Sequence, residues 1–361
     1  MRVLLVSGSF PPMQCGVGDY TGQLARALAK RTDAEVAVLT SVPADTAFDP
    51  DVEILALLSD WGLRDIPTVA GIVRRRRPDI VHVQYPTAVY GRIQWLLPAL
   101  TWALRTPTVQ TWHEYYHRRN WPGLLNAVLP GGLVVVRPGY KEKMPAWYRM
   151  VIRGKEFRFI PNASAIPPVR LTESERAGVR TGMGVSSGRL VAYFGFPSPA
   201  KGIEILFDVA DPARDRIVLL CDLDPENAYQ REILRRANRP PWAGKVRITG
   251  YLPAWEVGRL LAAADAAVFP FRDGGGEWNT SIQAAMAQGT FVLTTSREKR
   301  GDDARENAFY TLPGDTAGMR QALAEHSGRK VDTPLPANDW GRIAEEHMKL
   351  YRTLRGREGT R

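Results

Sequence analysis

Cysteine is nearly missing from this chain of 361 residues: Cys15 and Cys221 are the only two. Two such distant thiols build no disulfide framework, so the expected compartment is a reducing cytosol. Histidine is sparse too, with five residues, and no zinc-finger spacing is visible. Long apolar runs are lacking. No stretch approaches the roughly 20 residues of a membrane span, and the longest, Ile93 to Leu104, is interrupted by Pro98. The opening MRVLLVSGSF has too short an apolar run for a signal peptide and reads as a strand. RNA-binding aromatic motifs and tandem basic helices are also missing, which argues against a nucleic-acid partner, and the glycine spacing after the first strand is not the GxGxxG dinucleotide fingerprint.

The chain does carry 44% hydrophobic residues, enough for real cores, and a formal net charge of +10. Its length suits two domains better than one. The charge favours an anionic partner, such as a phosphorylated substrate or a membrane surface. Arg74 to Arg77, just before Pro78, reads as a solvated helix end, where cations suit the helix dipole. The segment GRIQWLLPALTWALR admits two readings: core helices split at Pro98, the favoured one, or a surface that rests on an anionic bilayer and receives a lipid-linked acceptor.

Short β-rich runs alternate with helical segments along nearly the whole chain. In the first half they are Val3–Val6, Val36–Thr40, Val52–Leu57, Ile80–Gln84, Thr108–Trp112 and Leu133–Val136. In the second they are Leu190–Phe194, Ile217–Cys221, Val246–Thr249, Ala266–Pro270, Thr290–Thr295 and Phe309–Leu312. This rhythm predicts an α/β protein of two doubly wound, Rossmann-like parallel-sheet domains. The expected domains are 1–165 and 166–339, joined through the proline-rich stretch Phe159 to Leu171. A final amphipathic helix, about 340–361, has Trp340, Ile343, Ala344, His347, Leu350 and Tyr351 on one side.

Such sheets bind ligands at the carboxyl ends of their strands, so the loops there matter most. After the first strand, Gly16 and Gly18 loosen a turn that enters a helix through Asp19 and Tyr20. After the fifth, His113-Glu114-Tyr115-Tyr116-His117 is a literal H-E-x-x-H. A zinc hydrolase would need both histidines on one helix face. Here His113 follows a strand directly, which favours a histidine at the sheet edge and no metal site. In the second half, Gly195, Phe196 and Ser198 precede Lys201, which can reach a diphosphate. Gly250, Tyr251 and Leu252 would set amides and an aromatic ring beside a planar group. RDGGGEWNTSIQAAMAQGT then puts Gly276, Glu277, Asn279, Thr280 and Ser281 at the mouth of a helix, where free amides suit an anion.

In this order and spacing, the stretches PPMQCGVGDYTGQLARALAKR, RPDIVHVQYP, TWHE, RFIPNASAIPP, FGFPSPAKGIEIL, ITGYLPAWEVGRLLAAADAAVFPF and QAAMAQGTFVLTT resemble the GT-B glycosyltransferases, in particular the retaining family 4. The resemblance covers nearly the whole chain. It implies two Rossmann-like domains facing a cleft, with the last helix packing back onto the first domain. It also implies transfer of a sugar from a nucleotide-sugar co-substrate, UDP- or GDP-linked, to a glycan, lipid-linked or small-molecule acceptor. No cofactor and no metal are implied. The chain would be cytoplasmic, with the inner face of the membrane as a candidate peripheral contact.

Carried over, the resemblance implies His113, Lys201 and Glu277 as catalytic. Gly195, Phe196, Ser198, Lys201, Gly250, Tyr251, Leu252, Gly276, Glu277, Asn279, Thr280 and Ser281 would bind the donor. Gly16, Val17, Asp19, Tyr20, Tyr85 and Glu114 would bind the acceptor. Two positions depart from the family pattern: Ala284 stands where a second glutamate holds the ribose, and Phe196 replaces an arginine before Lys201. These departures are what an alternative would rest on, a catalytically weakened GT-B protein that binds sugar nucleotides or scaffolds a polysaccharide-assembly complex.

Overall fold

The computed structural model describes residues 1–85, 96–114, 127–185, 187–332 and 339–358. The chain forms two compact units: Met1–Asn162 together with Asn338–Arg361, and Ala163–Ala337.

The first unit holds a seven-stranded sheet in the order β3-β2-β1-β4-β5-β6-β7, all pairs parallel. Its strands are β1 Arg2–Val6, β2 Glu35–Ser41, β3 Val52–Leu58, β4 Ile80–Tyr85, β5 Thr108–Trp112, β6 Gly131–Val135 and β7 Lys155–Phe159. The central strands are buried along their whole length because helices cover both faces. Right-handed crossovers sort those helices. Chain steps toward β7 put Ile66–Arg76, Leu97–Ala103 and Ala146–Val151 on one face. Steps toward β3 put Gly16–Ala29 on the other, where the final helix Trp340–Glu358 joins it. That final helix buries Ile343, Ala344, His347, Met348, Leu350 and Tyr351.

The second unit repeats the plan, in the order β10-β9-β8-β11-β12-β14-β13. Its strands are β8 Arg189–Phe194, β9 Asp215–Leu220, β10 Val246–Ile248, β11 Ala266–Phe269, β12 Val292–Thr295, β13 Gly301–Asp303 and β14 Ala308–Thr311. Among the described strands, only β13 runs antiparallel, against β14.

Some sequence expectations need correction. The strands β7 and β13 were not expected, because KEFRF and GDD are edge strands rich in charge and lack an apolar signature. The stretch taken as a linker therefore begins on the last residue of β7, and Ile160 still donates to Val135 O at 3.1 Å. Pro98 lies in the first turn of Leu97–Ala103, where its missing N–H costs no helical bond. Residues 93–95 of that apolar run lie outside the described residues. Arg74–Arg76 close their helix as expected, and Arg77 caps it in the left-handed region at φ 45°.

Candidate active site

In the first unit, the residues of interest gather at the carboxyl ends of β1, β4, β5 and β6. The turn after β1 enters its helix under close packing: a Cβ on Gly18 would sit 3.1 Å from the backbone of Ser9 and Phe10, whereas Gly16 faces open space. The helix start has no side-chain cap, so the Gly16 and Val17 amides end the helix unserved by its own turns. Asp19 sits in this first turn. Its carboxyl is accessible but crowded by the surrounding protein, and that desolvation pushes it up to about 6. Tyr20 is buried, so it does not face an acceptor. Its ring packs edge-on against His113 at 4.7 Å and against Trp340 at 5.2 Å.

His113 lies just past the tip of β5. Its N–H donates to Tyr85 O at 2.9 Å, extending the ladder by one rung, and its own carbonyl accepts from Arg137 Nε at 3.1 Å. The imidazole Nε2 meets Gln84 Oε1 at 3.0 Å. With Gln84 so oriented, Nε2 carries the proton and Nδ1 is an acceptor. Burial, then the Arg137 charge, hold the His113 pKa down to about 3, so the ring is neutral at any working pH. Behind it runs a buried polar chain. Gln84 Nε2 lies 3.5 Å from His82 Nε2, which is 2.7 Å from Thr111 Oγ1, and His82 Nδ1 meets Tyr351 Oη at 2.6 Å. His347 donates from Nδ1 to Ile343 O at 2.8 Å and lies 3.4 Å from the Tyr20 hydroxyl. The final helix thus braces the base of the His113 site.

Glu114 is exposed and ion-paired with Arg137, and its carbonyl accepts from Tyr140 Oη at 2.7 Å. Tyr85 is buried in the apolar core of the same unit. Arg137, which follows the strand β6 in the run VVVRP, was missed in the sequence. His113 stands in extended chain beyond a strand, not inside a helix, and His117 lies outside the described residues. Among the described residues, no three His, Cys, Asp or Glu side chains gather as a metal site.

The second unit assembles its own cluster. Gly195, at φ 141° past the end of β8, approaches Ser281 closely: a Cβ there would lie 3.8 Å from that of Ser281. Two loops distant in sequence thereby meet at the first turn of helix Thr280–Ala287. Phe196 and Ser198 follow, and Ser198 O accepts from Lys201 N at 2.9 Å. Gly202, at φ 65°, lets this turn sit against the end of β11, where any Cβ would come 2.3 Å from Pro270 O. The ammonium of Lys201 rests over the Phe271 ring, 4.6 Å from its centre. Gly250, at φ 72°, faces open space; beside it Tyr251 is 80% exposed, while Leu252 packs on the core.

The glycine run answers mostly to packing. A Cβ on Gly275 would lie 2.4 Å from the Phe271 ring, and one on Gly276 would lie 2.3 Å from Trp278. Gly275 N donates to Thr295 O at 2.7 Å, pinning the loop to β12. Gly276 N donates to Asn279 Oδ1 at 3.0 Å, so this amide is not left for a ligand. Glu277 is exposed, and its carbonyl accepts from Gln283 Nε2. Thr280 and Ser281 begin the helix. Ala284 is fully buried, in the hydrophobic core. Asp222-Leu223-Asp224 follows β9, and Asp224 Oδ1 accepts from Glu226 N at 2.8 Å within its turn.

Two doubly wound units, each with its cluster at the carboxyl ends of its strands, define the GT-B class of nucleotide-sugar enzymes. Family profiles agree. One described as "Glycosyl transferase 4-like domain" matches residues 15–193, and one described as "Glycosyl transferases group 1" matches residues 188–327. The chain belongs to the family 4-like GT-B glycosyltransferases. No curated protein matches the sequence. Among solved structures, Alr3699/HepE from Anabaena in complex with UDP-glucose is similar over 100% of both chains, with a TM-score of 0.71 at 17% identity. The catalytic domain of starch synthase IV from Arabidopsis thaliana, bound to ADP and acarbose, is similar over 98% of this chain and 99% of that one, with a TM-score of 0.69 at 14% identity. Sucrose-phosphate synthase (tll1590) from Thermosynechococcus elongatus is similar over 99% and 97%, with a TM-score of 0.67 at 18% identity. At these identities the likeness is one of fold.

Proposed function

We propose that this glycosyltransferase moves a sugar from a UDP- or GDP-linked donor to a glycan, lipid-linked or small-molecule hydroxyl, with retention of anomeric configuration and without a divalent metal. The observation that carries the reading is the neutral His113, held by Gln84 at a strand tip with an acceptor nitrogen available. In this role His113 takes a hydrogen bond from a hydroxyl of the transferred sugar and orients the anomeric carbon. Lys201 and the first amides of Thr280–Ala287 neutralise the diphosphate as it leaves. The exposed Tyr251 ring stacks on the base. The bond between the anomeric carbon and the diphosphate oxygen breaks, and the acceptor oxygen bonds on the same face. The acceptor's proton passes to the departing phosphate. Glu277 and the Gly16–Asp19 turn are the remaining candidates for sugar and acceptor contacts.

UDP-glucose is the first donor to try, because a structure similar in fold holds it. The test is a thermal-shift panel of nucleotide sugars followed by NMR of the product's anomeric proton, with and without EDTA. A donor that raises the melting temperature by linkage and a retained product formed in EDTA support the proposal. An inverted product, or activity that needs added manganese or magnesium, overturns it.

A further inference from the structure

Four tyrosines belong to the second unit, and one of them has a buried hydroxyl with nothing to bond. Tyr229 Oη donates to Glu204 Oε2 at 2.6 Å and accepts from Ile203 N at 3.0 Å. Tyr310 Oη donates to the Glu306 carboxylate, and Tyr251 stands in solvent. Tyr193 differs from all three. It lies on β8 with no exposed surface, its ring 6.0 Å from that of Phe269. Its hydroxyl meets no hydrogen-bond partner among the described residues. A buried hydroxyl left unbonded gives up its hydration without return, so its place in the interior calls for a reason.

That hydroxyl borders the loop that ends its strand. Where a Cβ on Gly195 would sit, the nearest atoms are Tyr193 Oη at 3.5 Å, Ser281 Cβ at 3.8 Å and Ser281 Oγ at 4.0 Å. These are ordinary contact distances. At Gly202, Gly275 and Gly276, by contrast, a Cβ would come within 2.4 Å of its nearest neighbour. Those three glycines are packed shut, whereas Gly195 leaves room for one further atom between itself and two hydroxyls. Ser281 Oγ also makes no hydrogen bond among the described residues. Gly195 is itself partly exposed, and with no side chain it adds nothing between the Tyr193 hydroxyl and a ligand at the loop. The spot is electropositive as well. Ser281 lies in the first turn of Thr280–Ala287, which no side chain caps, so the leading amides and the positive helix end are unserved. Burial holds the Tyr193 pKa well above its ordinary value, so the phenol keeps its proton and is a donor. Two O–H donors at an uncapped helix start suit an anionic oxygen better than a sugar hydroxyl, which brings a proton of its own.

We infer that the buried Tyr193 hydroxyl, with Ser281, binds a phosphoryl oxygen of the nucleoside diphosphate in the space that Gly195 leaves open. The inference rests on the reading of the second unit as the donor site, and it adds a core tyrosine to the loop residues there. The hydroxyl gains its partner only when the ligand arrives. Its contribution therefore belongs to the complex and not to the fold, which sets it apart from a tyrosine that holds the core together.

Tyr193→Phe removes one oxygen and keeps the ring. The experiment is calorimetry of the full-length protein with UDP, uridine and UDP-glucose, beside thermal melts without ligand. GDP and guanosine replace UDP and uridine if the wild type binds GDP more tightly. In Tyr193→Phe, UDP affinity should fall about tenfold or more, the scale of a hydrogen bond to a charged group, while uridine affinity stays level. The ligand-free variant should melt at the wild-type temperature or above it, because no bond within the protein is lost. Ser281→Ala should weaken UDP severalfold and leave uridine level. Unchanged UDP affinity in Tyr193→Phe overturns the inference, and a lower melting temperature beside it marks a hydroxyl bonded within the fold. An equal loss of uridine binding overturns it too, as does a loss confined to UDP-glucose, which would set the hydroxyl on the sugar. A wild type that binds neither UDP nor GDP overturns the donor-site reading itself, and the phosphoryl pocket with it.

Discussion

His113 and the glycine loop around Glu277 occupy comparable places, each at the carboxyl end of a parallel sheet, yet they are built in opposite ways. His113 rests on a buried polar chain through Gln84, His82 and Tyr351, so its ring is fixed in protonation and orientation before any ligand arrives. The glycine loop is fixed by apolar packing on Phe271 and Trp278, and the polar groups it offers, Glu277 and Thr280, are exposed. A group acting through orientation needs bracing of the first kind. A group proposed to act through charge, such as Lys201 above Phe271, needs only proximity. The first site should therefore affect turnover and the second donor affinity.

The largest expected effect is on the first arm. His113→Ala should cut kcat by roughly ten- to a thousand-fold, the scale of one positioned transition-state hydrogen bond, with nucleoside diphosphate affinity unchanged. Steady-state kinetics with calorimetry of UDP decides it; a loss of UDP binding would place His113 on the nucleotide instead. Lys201→Ala should do the reverse, weakening UDP by about 1.5–3 kcal/mol through loss of a charge-assisted contact. A lysine that only covers Phe271 would leave calorimetric affinity untouched.

Gly276→Ala sharpens the contrast within the second unit. The added methyl meets the Trp278 ring at 2.3 Å, so stability should fall by about 1–3 kcal/mol, and pairing it with Trp278→Ala should recover part of that loss. Denaturant melts of the two single mutants and the double mutant measure the recovery; strictly additive losses would mean that the glycine is needed for something other than the ring.

Smaller still is the effect of Gln84→Met. It removes the acceptor that fixes the His113 tautomer, and kcat should drop severalfold while KM for the donor stays level. An equal rise in KM would mark a structural role only.

Acid should weaken the first unit. The pKa values of His113 and His347 are held down to about 3 and about 4 by burial, and that of His82 is also lowered. A base depressed in the folded state leaves the unfolded chain holding more protons, so their contribution is full above about pH 6.5 and declines as pH falls toward the folded values. Each such histidine adds a slope of about 1.4 kcal/mol per pH unit in that window. Denaturant melts between pH 7 and 4 test this; His82→Asn should flatten the slope, and an unchanged slope would mean that these rings do not titrate on unfolding. Asp19, raised to about 6, has the opposite sign and favours the folded state only as pH falls below that value.

The alternation of strands and helices was legible because apolar runs such as LLV and VLL repeat wherever a central strand is buried on both faces. The edge strands β7 and β13 were illegible because half their surroundings are water and their residues are correspondingly charged. His113 could be found because it directly follows a strand. Arg137 was missed because an arginine after a strand has no spacing rule of its own. Tyr20 was carried over from the resemblance as an acceptor contact, but the fold turns its ring inward.

Local order alone determined the two parallel sheets, the loops that end their strands and the family to which the chain belongs, because period and turn chemistry act over a few residues. Only the tertiary structure decided which loop groups remain available to a ligand. It joined Tyr351 to His82 across 269 positions and set Gly195 beside Ser281. Hydrogen bonds and burial are settled by neighbours in space, and the chain order of this protein places those neighbours far apart.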